Sequence, residues 1–305
     1  MWKPTLSIIT PSYNRAAFLP TAIESVQSQS YQAVEHIVVD GNSTDGTPEV
    51  LAAYPHLVTI VEPDQGLYDA INKGIICAKG DIIGLLNSDD EYAPQVFDSV
   101  MKLFAQNQNA DVVIGQAVFF DQRAEAPVGK YLPVQSKAIL HHLVFQPPAI
   151  NAWFFKRSVF ERIGDFDMNF PIGADRDFLF RLYLAGFQSV VTEKIFYKYC
   201  MHSGSLTINL AADAKVRTMT ENLRLAEKYL GQVPLGSDIW KAFLVWHDLT
   251  SIELMILFAR QRRFTLCFRT IKSAIVHNPR WPLILLYQSP ARLIAFIKKQ
   301  RRKMT

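Results

Sequence analysis

The sequence predicts an α/β fold, with a mainly parallel central sheet flanked by helices and a helical C-terminal appendage. Three observations lead there. Short apolar, β-rich runs alternate with helical patterns from Leu6 to Val118. Such alternation with buried strands is the mark of parallel pairing through right-handed crossovers. Beyond about Ala211 the pattern is helical alone. At 305 residues the chain is longer than the usual single domain, and we divide it into a sheet domain over 1–210 and a helical region over 211–305.

The first strand, Leu6–Ile9, follows Met1-Trp2-Lys3-Pro4 almost directly, so nothing at the start reads as a signal peptide. It runs into Thr10-Pro11-Ser12-Tyr13-Asn14-Arg15, which sets an aromatic, Tyr13, beside the crevice at the carboxyl ends of the strands, where ligands of open α/β sheets collect. Tyr13 would there stack on a nucleobase, or else be a surface aromatic of a turn. A helix over about Ala16–Gln29 leads to the strand His36–Val39, which ends in Asp40 and opens into Gly41-Asn42-Ser43-Thr44-Asp45-Gly46-Thr47. Backbone and hydroxyl donors in that loop suit a ligand, and Asp40 could accept from a ribose or a base N–H; the plainer alternative is a polar loop with Thr44 or Asp45 as a helix cap.

A helix at Pro48–Tyr54, a strand at Leu57–Val61 and a helix at Leu67–Ala78 come next. Asp69 and Lys73 fall one turn apart on the last of these, either as an i,i+4 ion pair or with Lys73 near a phosphate. The strand Ile82–Leu86 then runs into Asn87-Ser88-Asp89-Asp90. Adjacent carboxylates repel, and a hard divalent ion, Mn²⁺ or Mg²⁺, would offset that repulsion while taking its other ligands from water and phosphate. An Asx-type turn capping the helix Pro94–Gln106 is the alternative. A strand at Val112–Val118 is followed by a looser stretch from Gly129 to Asn151.

Helices at Ser158–Ile163 and Asp175–Ala185 flank the loop Gly164–Pro171. Asp175 and Asp177 open the second helix, where the macrodipole favours carboxylates; one of them could instead be a general base. A strand near Ser189–Phe196 leads to His202-Ser203-Gly204-Ser205, in which His202 is a metal or phosphate ligand or a structural histidine. The helical remainder breaks at Gly231–Ser237 and His277–Pro282.

Bulk properties exclude several classes. Cys77, Cys200 and Cys267 are far apart and form no metal-type spacing, against a disulfide framework or structural zinc. GxGxxG and GxxxxGK[ST] are absent, which removes the main support for dinucleotide and P-loop readings. Residues 254–305 hold 12 of the 32 Lys/Arg and no Asp/Glu, leaving 20 basic against 28 acidic residues elsewhere, net −8. An acidic body and a basic tail follow. The tail's cluster Lys298-Lys299-Gln300-Arg301-Arg302-Lys303 after Leu293-Ile294-Ala295-Phe296-Ile297 suits an anionic membrane surface, with a solvated helix or a homo-oligomer contact as the alternative. Phe243–Ala259 and Trp281–Ile297 are too interrupted for clean membrane spans, and no nucleic-acid-binding module is recognised.

Taken together, residues 5 to about 205 resemble the family 2 glycosyltransferases of the GT-A fold. The resemblance rests on the order and spacing of Ser7–Arg15, Val38–Thr47, Asn72-Lys73-Gly74 with Ala78–Asp81, Leu86–Asp90, and Gly164–Asp167 leading to Ala174–Asp177. It implies an inverting, nucleotide-sugar-dependent enzyme in which Asp40 recognises the base with Tyr13 nearby. Asp89 and Asp90 stand where the family keeps its metal-binding DxD motif, with Asp90 the favoured direct ligand. It also implies that Asp175 is the catalytic base and that His202 lies near the diphosphate and metal. The donor site would comprise Pro11, Tyr13, Arg15, Asp40, Asp69, Lys73 and the Asn87-Ser88-Asp89 turn. Three positions depart from the pattern: Asn87 at the first DxD position, Ala174 before the base, and Ile71 where many members carry arginine.

The expected activity is transfer of a hexosyl or N-acetylhexosaminyl group from a UDP-sugar to a hydroxyl of a lipid-linked or oligosaccharide acceptor, with Mn²⁺ or Mg²⁺, at the cytoplasmic face of a membrane. The competing expectations are a sugar-1-phosphate nucleotidyltransferase, which should carry a Gly-rich loop and lysine after the first strand, and a non-catalytic nucleotide-sugar-binding scaffold.

Overall fold

The computed structural model describes residues 4–121, 126–130, 143–145, 149–201 and 212–286. The chain forms two compact units, Met1–Lys137 with Pro148–Ile208, and Ala138–Pro147 with Asn209–Thr305. Phe145 thus packs with residues about a hundred positions later, which a reading of contiguous pattern does not reveal.

The first unit is built on a nine-stranded sheet. Its strands are β1 (Leu6–Ser12), β2 (Val34–Asp40), β3 (Val58–Val61), β4 (Ile82–Leu85), β5 (Glu91–Tyr92), β6 (Val112–Asp121), β7 (Ala126–Lys130), β8 (Trp153–Lys156) and β9 (Ser189–Cys200). They are ordered β3-β2-β1-β4-β8-β6-β9-β5, with β7 added to β6. β3, β2, β1 and β4 run parallel, and β1 is buried along all seven of its residues, as a strand covered on both faces must be. The crossovers are α1 (Leu19–Gln27), α2 (Thr47–Ala52) and α3 (Leu67–Cys77). α3 lies so close on β1 that a Cβ at Gly74 would run into the Ile9 side chain.

The second half of the sheet is mixed rather than parallel. β8 is antiparallel to both β4 and β6, β9 is parallel to β6, and β5 is antiparallel to β9. Residues Val112–Ile114 of β6 pair with β8, and Val118–Asp121 pair on with β7, so one ten-residue strand serves two partners. α4 (Val96–Gln106), α5 (Arg157–Ile163) and α6 (Ala174–Leu184) complete the unit. α1 starts at Leu19 rather than Ala16 because Asn14 is left-handed (φ 53°) and Arg15–Phe18 form a turn closed by Phe18 N–H to Arg15 O at 3.0 Å. α4 starts at Val96, where the Gln29 side chain reaches across to cap it, accepting from Val96 N–H at 3.0 Å while donating to Ala93 O at 3.0 Å.

The second unit is helical: α7 (Ala212–Leu230), α8 (Asp238–Arg260), α9 (Phe264–His277) and α10 (Trp281–Leu286). Ser237 caps α8 by accepting from Trp240 N–H at 3.2 Å. Val216, Met219 and Leu223 of α7 pack on Leu254 and Phe258 of α8; Leu249 and Ile252 pack on Ala274 and Trp281, with Phe145 alongside. α8 is long and apolar enough to cross a membrane, yet over half of its most apolar stretch is buried inside the protein, as for a core helix. The basic cluster Lys298–Lys303 lies outside the described residues.

Candidate active site

The strand-end turns of the parallel half are zipped together by side chains. Asn14 N–H donates to Ser43 Oγ at 2.8 Å, Thr44 N–H to Asn14 Oδ1 at 2.9 Å, and Arg15 N–H to Thr47 Oγ1 at 3.0 Å. This fixes Ser12–Arg15 against the loop Gly41–Thr47. A third turn joins them, because a Cβ at Gly41 would strike the carboxylate of Asp64, which follows β3, and would press on the Tyr13 ring at 3.3 Å. Glycine at position 41 lets these three loops converge without displacing the Asp64 carboxylate or the Tyr13 ring.

They wall a cleft of about 360 Å³ in the first unit, to which Pro11, Tyr13, Arg15, Asn87, Ser88, Asp89 and Asp90 all contribute. Ser12, Asp64, Gly66, Leu67 and Ala70 complete one side, and Phe119, Tyr199, Cys200 and Met201 the other. Tyr13 is 57% exposed, an aromatic face presented to solvent at the cleft wall. Ser12 Oγ is buried with no hydrogen-bond partner. An unsatisfied hydroxyl in a cleft wall is a ready contact for a polar ligand.

Asp90 is nearly enclosed at 4% exposure and is wired to the rest of the sheet. Cys200 N–H donates to its Oδ1 at 2.8 Å, and Asn87 Nδ2 and Tyr197 OH donate to its Oδ2 at 2.9 Å each. Tyr197 OH in turn accepts from Asn87 N–H at 3.0 Å and Asn151 Nδ2 at 2.8 Å, so its proton has to point at Asp90. Burial and then the charge of Asp89 push the Asp90 carboxyl up to about 7, against the pull of its three donors. A carboxylate accepts at about four lone-pair sites, so Asp90 retains room for one more partner. With Asp89, Asn87 and Ser88 beside it, the donors offered by the Asn87–Asp90 turn are oxygens. That set fits a hard divalent cation such as Mn²⁺ or Mg²⁺ better than a softer ion. His202 lies outside the described residues.

The other expected residues stand off the cleft wall. Asp40 is fully buried and braces its own loop, accepting from Ser43 N–H at 2.9 Å and Ser43 Oγ at 2.5 Å. Lys73 Nζ donates to Pro63 O at 2.7 Å and pairs with Glu62 at 3.0 Å and Asp69 at 3.4 Å, while Asp69 also accepts from Gln65 N–H at 2.9 Å. This network ties α3 to the turn carrying Asp64. Neighbouring Asn72 clamps another loop, donating to Phe166 O at 2.9 Å and accepting from Phe166 N–H at 3.0 Å.

Asp175 opens α6 and accepts from Arg176 N–H at 2.7 Å and from the Tyr68 hydroxyl. Its carboxyl is raised by the surrounding protein and lowered, to a lesser degree, by Arg176. Leu67, one residue before Tyr68 on α3, is part of the cleft wall. The Tyr68 ring packs on Phe166 at 5.2 Å, and Phe166 on Phe178 of α6 at 4.8 Å, which holds both helix ends in place. Asp177 is buried and paired with Arg181 at 2.8 Å; Arg181 also donates to Asp165 O at 2.6 Å, so this acid serves the loop, not the cleft.

Sequence reasoning missed Asp64, Tyr68, Asn151 and Tyr197. Asp64 had a signal, since it lies just past the parallel strand β3, as Asp89 and Asp90 lie past β4. Tyr197 had none, lying 107 residues from the carboxylate it orients.

Residues 7–164 match the family model for glycosyl transferase family 2. An uncharacterized glycosyltransferase of Mycobacterium tuberculosis is 32% identical over 187 residues, covering 58% of this chain and 68% of that protein. Among solved structures, the mannosyltransferase PcManGT of Pyrobaculum calidifontis, in complex with GDP-Man and Mn²⁺, is similar with a TM-score of 0.61 and 16% identity over 96% of this chain and 86% of that one. TarS of S. aureus gives a TM-score of 0.57 and 16% identity as its 1–349 segment in complex with UDP-GlcNAc, over 92% of each chain. The chain spans 43% of the longer TarS structure. These neighbours share the GT-A fold. The family model extends over more than half of the sequence, and the protein belongs to glycosyl transferase family 2.

Proposed function

We propose that this glycosyltransferase moves a hexosyl or N-acetylhexosaminyl group from a UDP-sugar to a hydroxyl of a lipid-linked or oligosaccharide acceptor, with inversion at the anomeric carbon. The observation that carries the reading is the Asp89–Asp90 pair at the end of a parallel strand, inside a cleft that also offers Tyr13 and Arg15. A diphosphate and two carboxylates repel unless a cation sits between them. Solved neighbours of the same fold in complex with UDP-GlcNAc, and with GDP-Man and Mn²⁺, support a nucleotide-sugar donor with a divalent cation.

Asp89 and Asp90, with the neighbouring oxygens of Asn87 and Ser88, would hold Mn²⁺ or Mg²⁺. Such an ion supplies positive charge where the departing diphosphate gains negative charge. Tyr13 stacks on the base and Arg15 pairs with phosphate. The acceptor oxygen attacks the anomeric carbon as the bond to the diphosphate oxygen breaks, and its proton passes to Asp175. Burial raises the Asp175 carboxyl, which makes it a better base than a solvated aspartate, while Arg176 and the Tyr68 hydroxyl pull it back to a lesser degree and aim it.

The Asp175→Asn variant tests the base. Acceptor-dependent UDP release should fall by ~10²-fold or more, the usual loss for a general base, with donor affinity within about twofold of wild type. Near-normal transfer would remove Asp175 from this role.

Membrane attachment belongs to the same reading. The exposed side of α9 carries Phe264, Phe268 and Val276 together with Arg269 and Lys272, and residues 254–305 contain no acid. Apolar and basic groups on one helix suit an anionic lipid surface. Flotation with anionic liposomes tests this. Loss of binding in a Phe268→Ser, Val276→Ser double variant supports it, and unchanged binding counts against it.

A further inference from the structure

We propose that Glu227, His247 and His277 form a second metal site, for zinc or a similar transition-metal ion, within the helical C-terminal unit. Glu227 lies on α7, His247 on α8, and His277 ends α9. Each offers one ligand atom, and the three atoms lie within 4.8 Å of one another.

The independent sign of a missing partner is His247. Its side chain is completely enclosed, and neither ring nitrogen has a hydrogen-bond partner. The carboxylates that face it, Glu227 Oε1 from Nε2 and Asp248 Oδ1 from Nδ1, are both 3.7 Å away, too far to accept a hydrogen bond. Buried imidazoles in that state are rare, and two flanking carboxylates call for positive charge between them.

The surroundings are arranged as around a metal ligand set. His277 Nδ1 is 3.0 Å from Ser273 O; donating its proton there leaves the Nε2 lone pair for a ligand bond. Ser273 Oγ donates to Glu227 Oε1 at 2.5 Å. Asp248, behind the far nitrogen of His247, is itself held by Asn278 Nδ2 at 2.7 Å. Such outer partners fix the tautomer and direction of ligating histidines. The two imidazole rings are 4.7 Å apart. Tetrahedral zinc, with bonds of about 2.0–2.1 Å, holds its donor atoms about 3.4 Å apart, so closure takes rotations of about 1 Å in side chains already convergent. Two nitrogens and one carboxylate select zinc over Mg²⁺ or Mn²⁺, unlike the oxygen set at Asp89 and Asp90. A water would take the fourth position, and the ion would pin three successive helices together.

The test uses the full chain, stripped with a chelator and titrated with Zn²⁺ in excess Mg²⁺, alongside Glu227→Gln, His277→Gln and Asp90→Asn, with Co²⁺ as a spectroscopic substitute. His277 is partly exposed at a helix end, so its variant should fold, which far-UV circular dichroism checks. Wild type should bind one Zn²⁺ at this site, melt several degrees higher with it, and show intense visible Co²⁺ bands. Affinity should drop at least ~100-fold in Glu227→Gln and His277→Gln and stay unchanged in Asp90→Asn. Absence of Zn²⁺ binding by wild type, or binding indifferent to both C-terminal substitutions, overturns the proposal and leaves a proton on His247 as the shared charge. Loss confined to Asp90→Asn overturns it too, by assigning the ion to the cleft.

Discussion

Replacing Tyr197 by Phe removes one oxygen that has three jobs. The hydroxyl accepts from Asn87 N–H at 3.0 Å and Asn151 Nδ2 at 2.8 Å, and donates to Asp90 Oδ2 at 2.9 Å. The ring stays, fully buried and packed against Tyr92 and Tyr199 at 5.6 and 4.7 Å, so little volume is lost. The cost is electrostatic, because two buried donors lose their acceptor and a buried carboxylate loses a donor. At ~1–3 kcal/mol for each stranded donor, the change should destabilise the first unit by about 3 kcal/mol. For a unit of this size that is a fall in Tm of about 6–12 °C. Calorimetry in the presence of a chelator should read it, in the transition that moves when UDP is added. The same variant should bind Mn²⁺-UDP at least about fivefold more weakly, since Asp90 is no longer aimed. A shift below 1 °C would refute this role for the Tyr197 hydroxyl.

Three further outcomes follow from the same structure. Burial holds the Asp90 carboxyl at about 7 in the fold against 3.8 when free. A raised acid stabilises the fold below pH ~4 and loses that contribution as pH rises through 7, so the stability of chelated wild type relative to Asp90→Asn should fall by about 4 kcal/mol over that window; a flat difference contradicts it. Gly74→Ala should destabilise in urea unfolding by up to ~2 kcal/mol, because overpacking against Ile9, ~1–3 kcal/mol, outweighs the ~1 kcal/mol that alanine brings to a helix, and a stabilised variant would show that α3 can move off β1. Lys73→Met should change the KM for donor less than twofold if the lysine serves the Glu62–Asp69 network, whereas a tenfold rise would bring it to the phosphates.

The parallel half of the fold was readable because strands buried on both faces leave uninterrupted apolar runs, and each is spaced from the next by a helix. The acids after β4 and the loops after β1 and β2 were readable for the same reason, since strand ends in such sheets mark the crevice. β5 and β8 were not, being two and four residues long with no alternation of their own. The antiparallel insertion they create moves β9 next to β6 and brings Tyr197 and Cys200 under Asp90. The Asp69–Lys73 ion pair was readable from its i,i+4 spacing, but the extension of that pair to Glu62, the Asn72 clamp on Phe166 and the space that Gly74 leaves for β1 are set by tertiary neighbours that local spacing does not encode.

Calorimetric titration of UDP into the full chain, with Mn²⁺ and then with chelator, addresses the acidic turn most directly. Binding should be at least tenfold tighter with Mn²⁺ in wild type, with no such gain in Asp89→Asn or Asp90→Asn. Equal affinity with and without the metal, unchanged in both variants, would contradict it.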